Sequence, residues 1–313
     1  MTYFAFEWKG KPVKIHDRLR RALDSVVYNI KYNPEGLWNA NIIITGDRIS
    51  GTGKSTLTEI MAAYCAFRLQ REYGIEDIYF DSYEMIKAAI KKGKWGLNHY
   101  DEARRGLVTN KRMTRIQEDL LDYYAECRQL NQINFIVLPD FFKLNEEIAV
   151  AQSEFLINVV RERKEIITDI VTGSKEPIVA WGRGTFHFYR RETKRILYDI
   201  YSNTRRKDYW AIEPDFSGSF ELMPILDDAA YEDKKLKALH DMHKEQEEKK
   251  KSKKAELILG RICFDYKKMG LSNPEIVKKL KIDWDYESYP NEILRRLAEY
   301  QENEGLGQDI GQY

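Results

Sequence analysis

Six consecutive residues, Gly51-Thr52-Gly53-Lys54-Ser55-Thr56, put two glycines, an amine and three hydroxyls into one turn. That combination suits a triphosphate tail. A compact polyanion needs many donors in a small space, and successive backbone N–H groups supply them where glycine lets the backbone approach. A helix starting near Lys54 would add its positive dipole end. Lys54 would reach the outer phosphates, Ser55 would ligate Mg2+, and Thr56 would contact the inner phosphate. The position five before Gly53, where such a loop ordinarily opens on glycine, is Arg48, and Gly46 stands two residues earlier. The alternative is a glycine-rich turn with a chance Lys-Ser.

Hydrolysis would also need a carboxylate for the metal shell and another to orient water opposite the γ-phosphate. Asn98-His99-Tyr100-Asp101-Glu102-Ala103 offers both: Asp101 to hold magnesium through water and Glu102 to orient the attacking water. The same pair would serve as a helix cap. Asp140 fits a polar γ-phosphate sensor, or the first residue of a loop. Arg104, Arg105, Arg128, Arg161 and Arg163 are candidates for a charge-stabilising finger, with Arg128 and Arg161 preferred.

These groups need a scaffold. Asn41 to Thr45 is a β-branched run that reads as a buried parallel strand, followed by the glycine loop and a helix over Ser55 to Arg71. Strands are expected at Thr2–Trp8, Asp77–Phe80, Trp95–Tyr100, Ile133–Leu138 and Phe155–Val160. Helices are expected at His16–Ile30, Ser82–Lys92, Arg112–Leu130 and Leu144–Gln152. The alternation predicts an α/β fold, a parallel sheet flanked by helices. Pro177–Trp181 and Thr185–Tyr189 flank Gly182-Arg183-Gly184 and read as a β-hairpin. The expected organisation is a nucleotide-binding domain over residues 1–226 (core 41–163, hairpin 177–190), a charged stretch over 227–254 that reads as a solvated helix or linker, and a small helical module over 255–313.

The chain has 313 residues, 43% hydrophobic, with a formal net charge of +1. No global field draws it to nucleic acid, so local patches must do so. Cys65, Cys127 and Cys263 are scattered, which predicts reduced thiols in a cytoplasmic protein. No apolar run or signal-peptide core predicts membrane insertion.

Together the glycine loop, Tyr100-Asp101-Glu102-Ala103 and Ile136-Val137-Leu138-Pro139-Asp140 resemble the additional-strand P-loop ATPases, closest to the FtsK/HerA branch with its zonular-occludens-toxin-like phage assembly proteins. The resemblance covers about residues 41–163. It implies a RecA-like core, ATP and Mg2+, a homo-oligomeric ring, and work on DNA or a filament. Such proteins are common in viruses and mobile elements, where the setting would be a host cytoplasm or a virion. The opening glycine and proline of that branch's loop, and its glutamine sensor, are absent here.

Near the C-terminus, Met269 to Asp283 resembles the first half of a helix-turn-helix: Gly270 ends one helix, Ser272 or Asn273 caps the next, and Pro274 suits its first turn. A second helix over Asn291–Tyr300 carries Arg295 and Arg296, which would enter the major groove. A three-helix bundle for protein contacts reads equally well, and Lys249 to Lys254 would track phosphates or form a solvated linker. The functional expectation is a DNA-stimulated ATPase motor. An ATP-switched DNA-binding regulator with little turnover and a P-loop kinase of small acceptors are the alternatives.

Overall fold

The computed structural model describes residues 2–36, 38–46, 51–101, 120–124, 127–166, 178–284 and 286–304. It divides into two compact units, residues 1–235 and 236–313. In the first unit the order is β1 (Tyr3–Trp8), β2 (Lys11–His16), α1 (Asp17–Val27), β3 (Ala40–Gly46), α2 (Lys54–Leu69), β4 (Ile78–Tyr79), α3 (Ser82–Lys92), β5 (Leu97–Tyr100), β6 (Ile133–Val137), β7 (Ser153–Ile166), β8 (Ile178–Tyr189), α4 (Arg191–Thr204) and β9 (Phe216–Ser219).

Among the described residues seven strands form one sheet in the order β4-β5-β6-β3-β7-β8-β9. The first five are mutually parallel, while β8 is antiparallel to both β7 and β9. β3 lies inside the sheet and is buried along its whole length, which is why its sequence reads as a continuous apolar run rather than an alternating one. Ile42 and Ile44 face one core, shared with α1 and α2; Ile43 faces the other, shared with α3 and α4. The fold is therefore α/β, with a mixed, mostly parallel seven-strand sheet covered on both faces.

β5 is apolar only at its ends, because Asn98 and His99 occupy its centre. The structure gives both a partner. Asn98 donates to Asn134 Oδ1 on β6 at 2.8 Å, and Asn134 donates to Asn41 Oδ1 on β3 at 2.8 Å. This buried amide ladder ties three adjacent strands at one register, since a slip by one residue would send each amide to the other face. On that other face His99 Nδ1 lies 2.9 Å from the Tyr73 hydroxyl. Burial drives the His99 imidazole down to about 4, so it is neutral at pH 7.

Several expectations are corrected. Gly182-Arg183-Gly184 is not a hairpin turn: β8 runs through it as one strand paired to β7, with the register shifting between Val160 and Glu162. The glycines admit a bulge, and Gly184 sits at φ +96° with Phe220 O only 2.7 Å from where a Cβ would stand. The helix expected over Leu144–Gln152 is one π-helical turn, Glu147–Ala151. Most of the helix expected at Arg112–Leu130 lies outside the described residues; within it, residues 120–124 are helical and Cys127–Leu130 is a 3-10 turn.

The second unit begins within α5 (Asp228–Lys268), a single helix that includes the charged stretch, which takes the helical of its two expected forms, and continues with α6 (Asn273–Trp284) and α7 (Pro290–Glu304). Gly270 takes φ +84° and ends α5, as expected. Ser272 stands at the N-cap position of α6, and its N–H and hydroxyl both donate to Glu275, at 2.7 and 2.5 Å, the Glu275 half of a capping box. Cys263, Phe264, Ile276, Leu280, Ile293 and Leu297 form the core of this unit. Arg296 belongs to that packed face, at the helical interval from Ile293 and beside Leu297. It is buried, and it donates to the Tyr286 hydroxyl at 2.6 Å. The expectation that Arg296 reads a major groove is thus corrected, and of the two arginines only Arg295 is exposed.

Candidate functional site

In parallel α/β sheets, sites form outside the carboxyl ends of the strands. β3 ends there at Gly46 and β5 at Tyr100, which delivers Asp101. Gly46 lies under a close approach. A Cβ there would stand 3.0 Å from Thr52 Oγ1, 3.1 Å from Val159 O and 3.2 Å from the Lys54 stem. Thr52 and Lys54 therefore fold back over the end of β3, and Lys54 Nζ donates to Thr52 Oγ1 at 3.4 Å. Gly51 and Gly53 have φ of +74° and +98°, values that β-branched or bulky residues avoid.

Gly53 is the N-cap of α2, so no side chain caps the helix, and its first turn carries no acid. The helix start thus keeps its positive end uncompensated by side chains. Apart from that turn, α2 is buried almost all round, a rigid mount for the residues at its start.

Neighbouring strands lie about 4.8 Å apart, and β6 separates β5 from β3, so Asp101 would be too distant for any residue on β3 itself. The start of α2 closes the gap: Ser55 Oγ donates to Asp101 Oδ2 at 2.9 Å. Asp101 is buried. Burial works to raise its carboxyl, but His99, the Tyr231 and Ser55 hydroxyls and the Lys235 charge outweigh it and hold the group below its ordinary value. The result is an ionised carboxylate beside a serine hydroxyl, two hard oxygen donors of the kind magnesium takes.

Three contributors escaped the sequence reading. The first is Tyr231, near the start of α5, whose hydroxyl donates to Asp101 Oδ2 at 2.5 Å and stands 3.2 Å from Ser55 Oγ. The second is Arg183, which donates from the β8 bulge to Gly51 O at 3.3 Å. The third is the segment after β9, where Phe220 and Leu222 pack within 3.1 Å of where a Gly53 Cβ would be. No local motif announces them; they come from residues 130 or more positions away that close over the turn.

The remaining expected residues fall as follows. Thr56 is half-buried in the first turn of α2. Glu102, with Arg104 and Arg105, lies outside the described residues, as does Arg48. Arg128 is exposed in the turn before β6, at the opposite, amino-terminal edge of the sheet, so a single chain does not bring it to Lys54. Arg161, on β7, lies two residues beyond Val159, which pairs with Gly46. Asp140 caps the 3-10 turn Phe141–Lys143 by accepting from Phe142 N at 3.2 Å, and it also pairs with Lys207 Nζ at 3.0 Å. Two cavities, of about 690 and 270 Å³, are lined by Asn145–Ala151 with the start of α4 and by residues around Ala40, Phe155 and Arg190. Both lie toward the edge away from the glycine turn.

Glu59, one turn beyond Ser55 on α2, is buried. Burial pushes its carboxyl up to about 7 from 4.5; the amides of Leu226 and Ile225 oppose this and the charges of Asp228 and Asp101 add to it. With the folded value above the unfolded one, this contribution to stability is fully present below pH 4.5 and is lost as pH rises through about 7. Glu59→Gln is therefore expected to be more stable than the wild type at pH 8 by up to roughly 3 kcal/mol, with the difference closing toward pH 4.5. Urea midpoints across that range check it.

Compared with protein-family models, with curated proteins and with solved structures, the chain finds no match. The fold defines an α/β domain with a mostly parallel mixed sheet and C-terminal helices. Among the described residues no helix is long and apolar enough to cross a membrane.

Proposed function

We propose that this protein binds and hydrolyses ATP with Mg2+, as a motor-type ATPase acting on DNA. The observation that carries the nucleotide reading is the 2.9 Å hydrogen bond from Ser55 to Asp101. It brings the hydroxyl of the glycine turn onto the acid of a strand two positions away, which is the pairing a P-loop NTPase uses to hold its metal. The strand order supports the same reading: β6 is an additional strand between β3, which feeds the loop, and β5, which carries the acid.

In this reading the amides of residues 51–55 and the start of α2 hold the phosphate chain, and Lys54 follows the β- and γ-phosphates. Thr56 contacts the inner phosphate. Ser55 and Asp101 hold the metal, whose bound charge would offset that of the phosphate oxygens. Glu102 orients the attacking water. Arg128, exposed at the far edge, acts only from a neighbouring subunit of a ring. The DNA assignment rests on the family resemblance. A second reading, an ATP-switched regulator with little turnover, is favoured by the Tyr231 hydroxyl standing on the Ser55–Asp101 pair.

ATPase rates with and without double- and single-stranded DNA, alongside native mass, separate these. The motor reading expects DNA-stimulated turnover and a mass of several subunits. Tight ATP binding without turnover would favour the switch, and turnover indifferent to DNA by a monomer would remove the motor.

A further inference from the structure

Three oxygens converge where the metal is expected. Ser55 Oγ lies 2.9 Å from Asp101 Oδ2, and the Tyr231 hydroxyl lies 2.5 Å from that same Oδ2 and 3.2 Å from Ser55 Oγ. The phenol arrives by construction. Asp227 Oδ1 caps the start of α5 by accepting from Ala229 N at 3.0 Å, and Lys234 Nζ pins the next turn to Ile75 O at 2.8 Å. The Tyr231 ring is buried against Phe80, at 5.9 Å between centroids. A buried phenol so placed is a tethered donor at high local concentration.

Resting on the nucleotide reading above, we propose that Tyr231 is a placeholder in the magnesium site: its hydroxyl satisfies Asp101 and neighbours Ser55 when no metal–nucleotide is bound, and competes with the metal shell for Asp101 Oδ2. Asp101 Oδ2 already accepts the Ser55 proton, so a shell water reaching that oxygen needs the place the phenol proton holds. The hydroxyl therefore competes with the loaded state, and among the described residues its hydrogen bonds go to the metal-site groups Ser55 and Asp101.

Tyr231→Phe keeps the ring packing and deletes the competitor. A hydrogen bond to a charged group is worth about tenfold or more in an equilibrium. The full-length wild type and Tyr231→Phe are titrated with a fluorescent ATP analogue in magnesium and, separately, in EDTA. The placeholder predicts about tenfold tighter binding by Tyr231→Phe in magnesium and equal binding in EDTA. Equal or weaker binding by Tyr231→Phe in magnesium, with the wild type binding normally, overturns it and makes Tyr231 a mere support for Asp101. Tightening to the same degree in EDTA also overturns it, because the hydroxyl would then be acting on the phosphate turn. Failure of both proteins to bind the analogue in magnesium overturns the nucleotide reading itself, and the placeholder with it.

Discussion

Replacing Lys54 with alanine is expected to abolish ATP turnover and to weaken nucleotide binding, with a loss in rate of at least about a hundredfold, the scale for removing one group that stabilises developing charge in a water-poor site. The reasoning is geometric. Lys54 stands at the first position of a helix whose start has no side-chain cap and no acid in its first turn. Its stem lies 3.2 Å from where a Gly46 Cβ would be, so it is laid across the end of β3. The fold should survive the change, because Lys54 is half-buried at the rim of the turn and the packed face of α2 begins at Leu57. Isothermal titration with ATP and a steady-state phosphate-release assay, with thermal unfolding as the control, check the prediction.

The second large effect is expected at Asp101. Asp101→Asn keeps the size of the side chain and an oxygen that can accept from Ser55 and Tyr231, but removes the buried negative charge. Binding of ATP in the absence of metal should persist, while the gain in affinity from magnesium and the hydrolysis rate should fall by about a hundredfold or more. The pH dependence is a second readout. The Asp101 carboxyl lies below its ordinary 3.8, so protonation of Asp101 itself adds nothing to the loss of magnesium-supported binding between neutral pH and that value; protonation of the ATP γ-phosphate and of Glu59, which titrates at about 7, falls in that range instead. A group with a depressed folded value loses its contribution only as pH falls through it. Unchanged magnesium dependence in Asp101→Asn would remove Asp101 from the metal site.

Much of this site is legible in the residues themselves. The spacing Gly51-x-Gly53-Lys54-Ser55-Thr56 between a β-branched run and a largely apolar stretch announces strand, turn and helix, because glycines permit the turn and the apolar stretch is long enough for a helix. Asp101 is legible as the acid at a strand end, although Asn98 and His99 make that strand a poor one by hydrophobic pattern. Their polar character is the device that holds the strand: the Asn98–Asn134–Asn41 ladder spans three strands, and no single-strand pattern reveals it. β2, β9 and α4 were not foreseen. β2 alternates Val13 and Ile15 but carries Pro12 second and lysines at Lys11 and Lys14, and β9 is four residues containing Gly218, so neither has the β-branched or aromatic run that marks a strand. Tyr231, Arg183 and Phe220 are invisible for a different reason. Each reaches the turn through long-range packing, and Tyr231 lies in a stretch so rich in charge that it reads as a solvated helix or linker. In the C-terminal unit the end of α5 and the start of α6 follow from Gly270 and Ser272. The direction of Arg296 does not, since a charged residue at an inward helical position is recognisable only once Tyr286 is seen to receive it.

The most direct test is a crystal structure of the protein with magnesium and a non-hydrolysable ATP analogue. The account predicts the β- and γ-phosphates cradled by the amides of residues 51–55, with Lys54 Nζ upon them and the metal beside Ser55 and Asp101. Phosphates bound elsewhere, or a turn that stays closed to the analogue at saturating concentration, would contradict it.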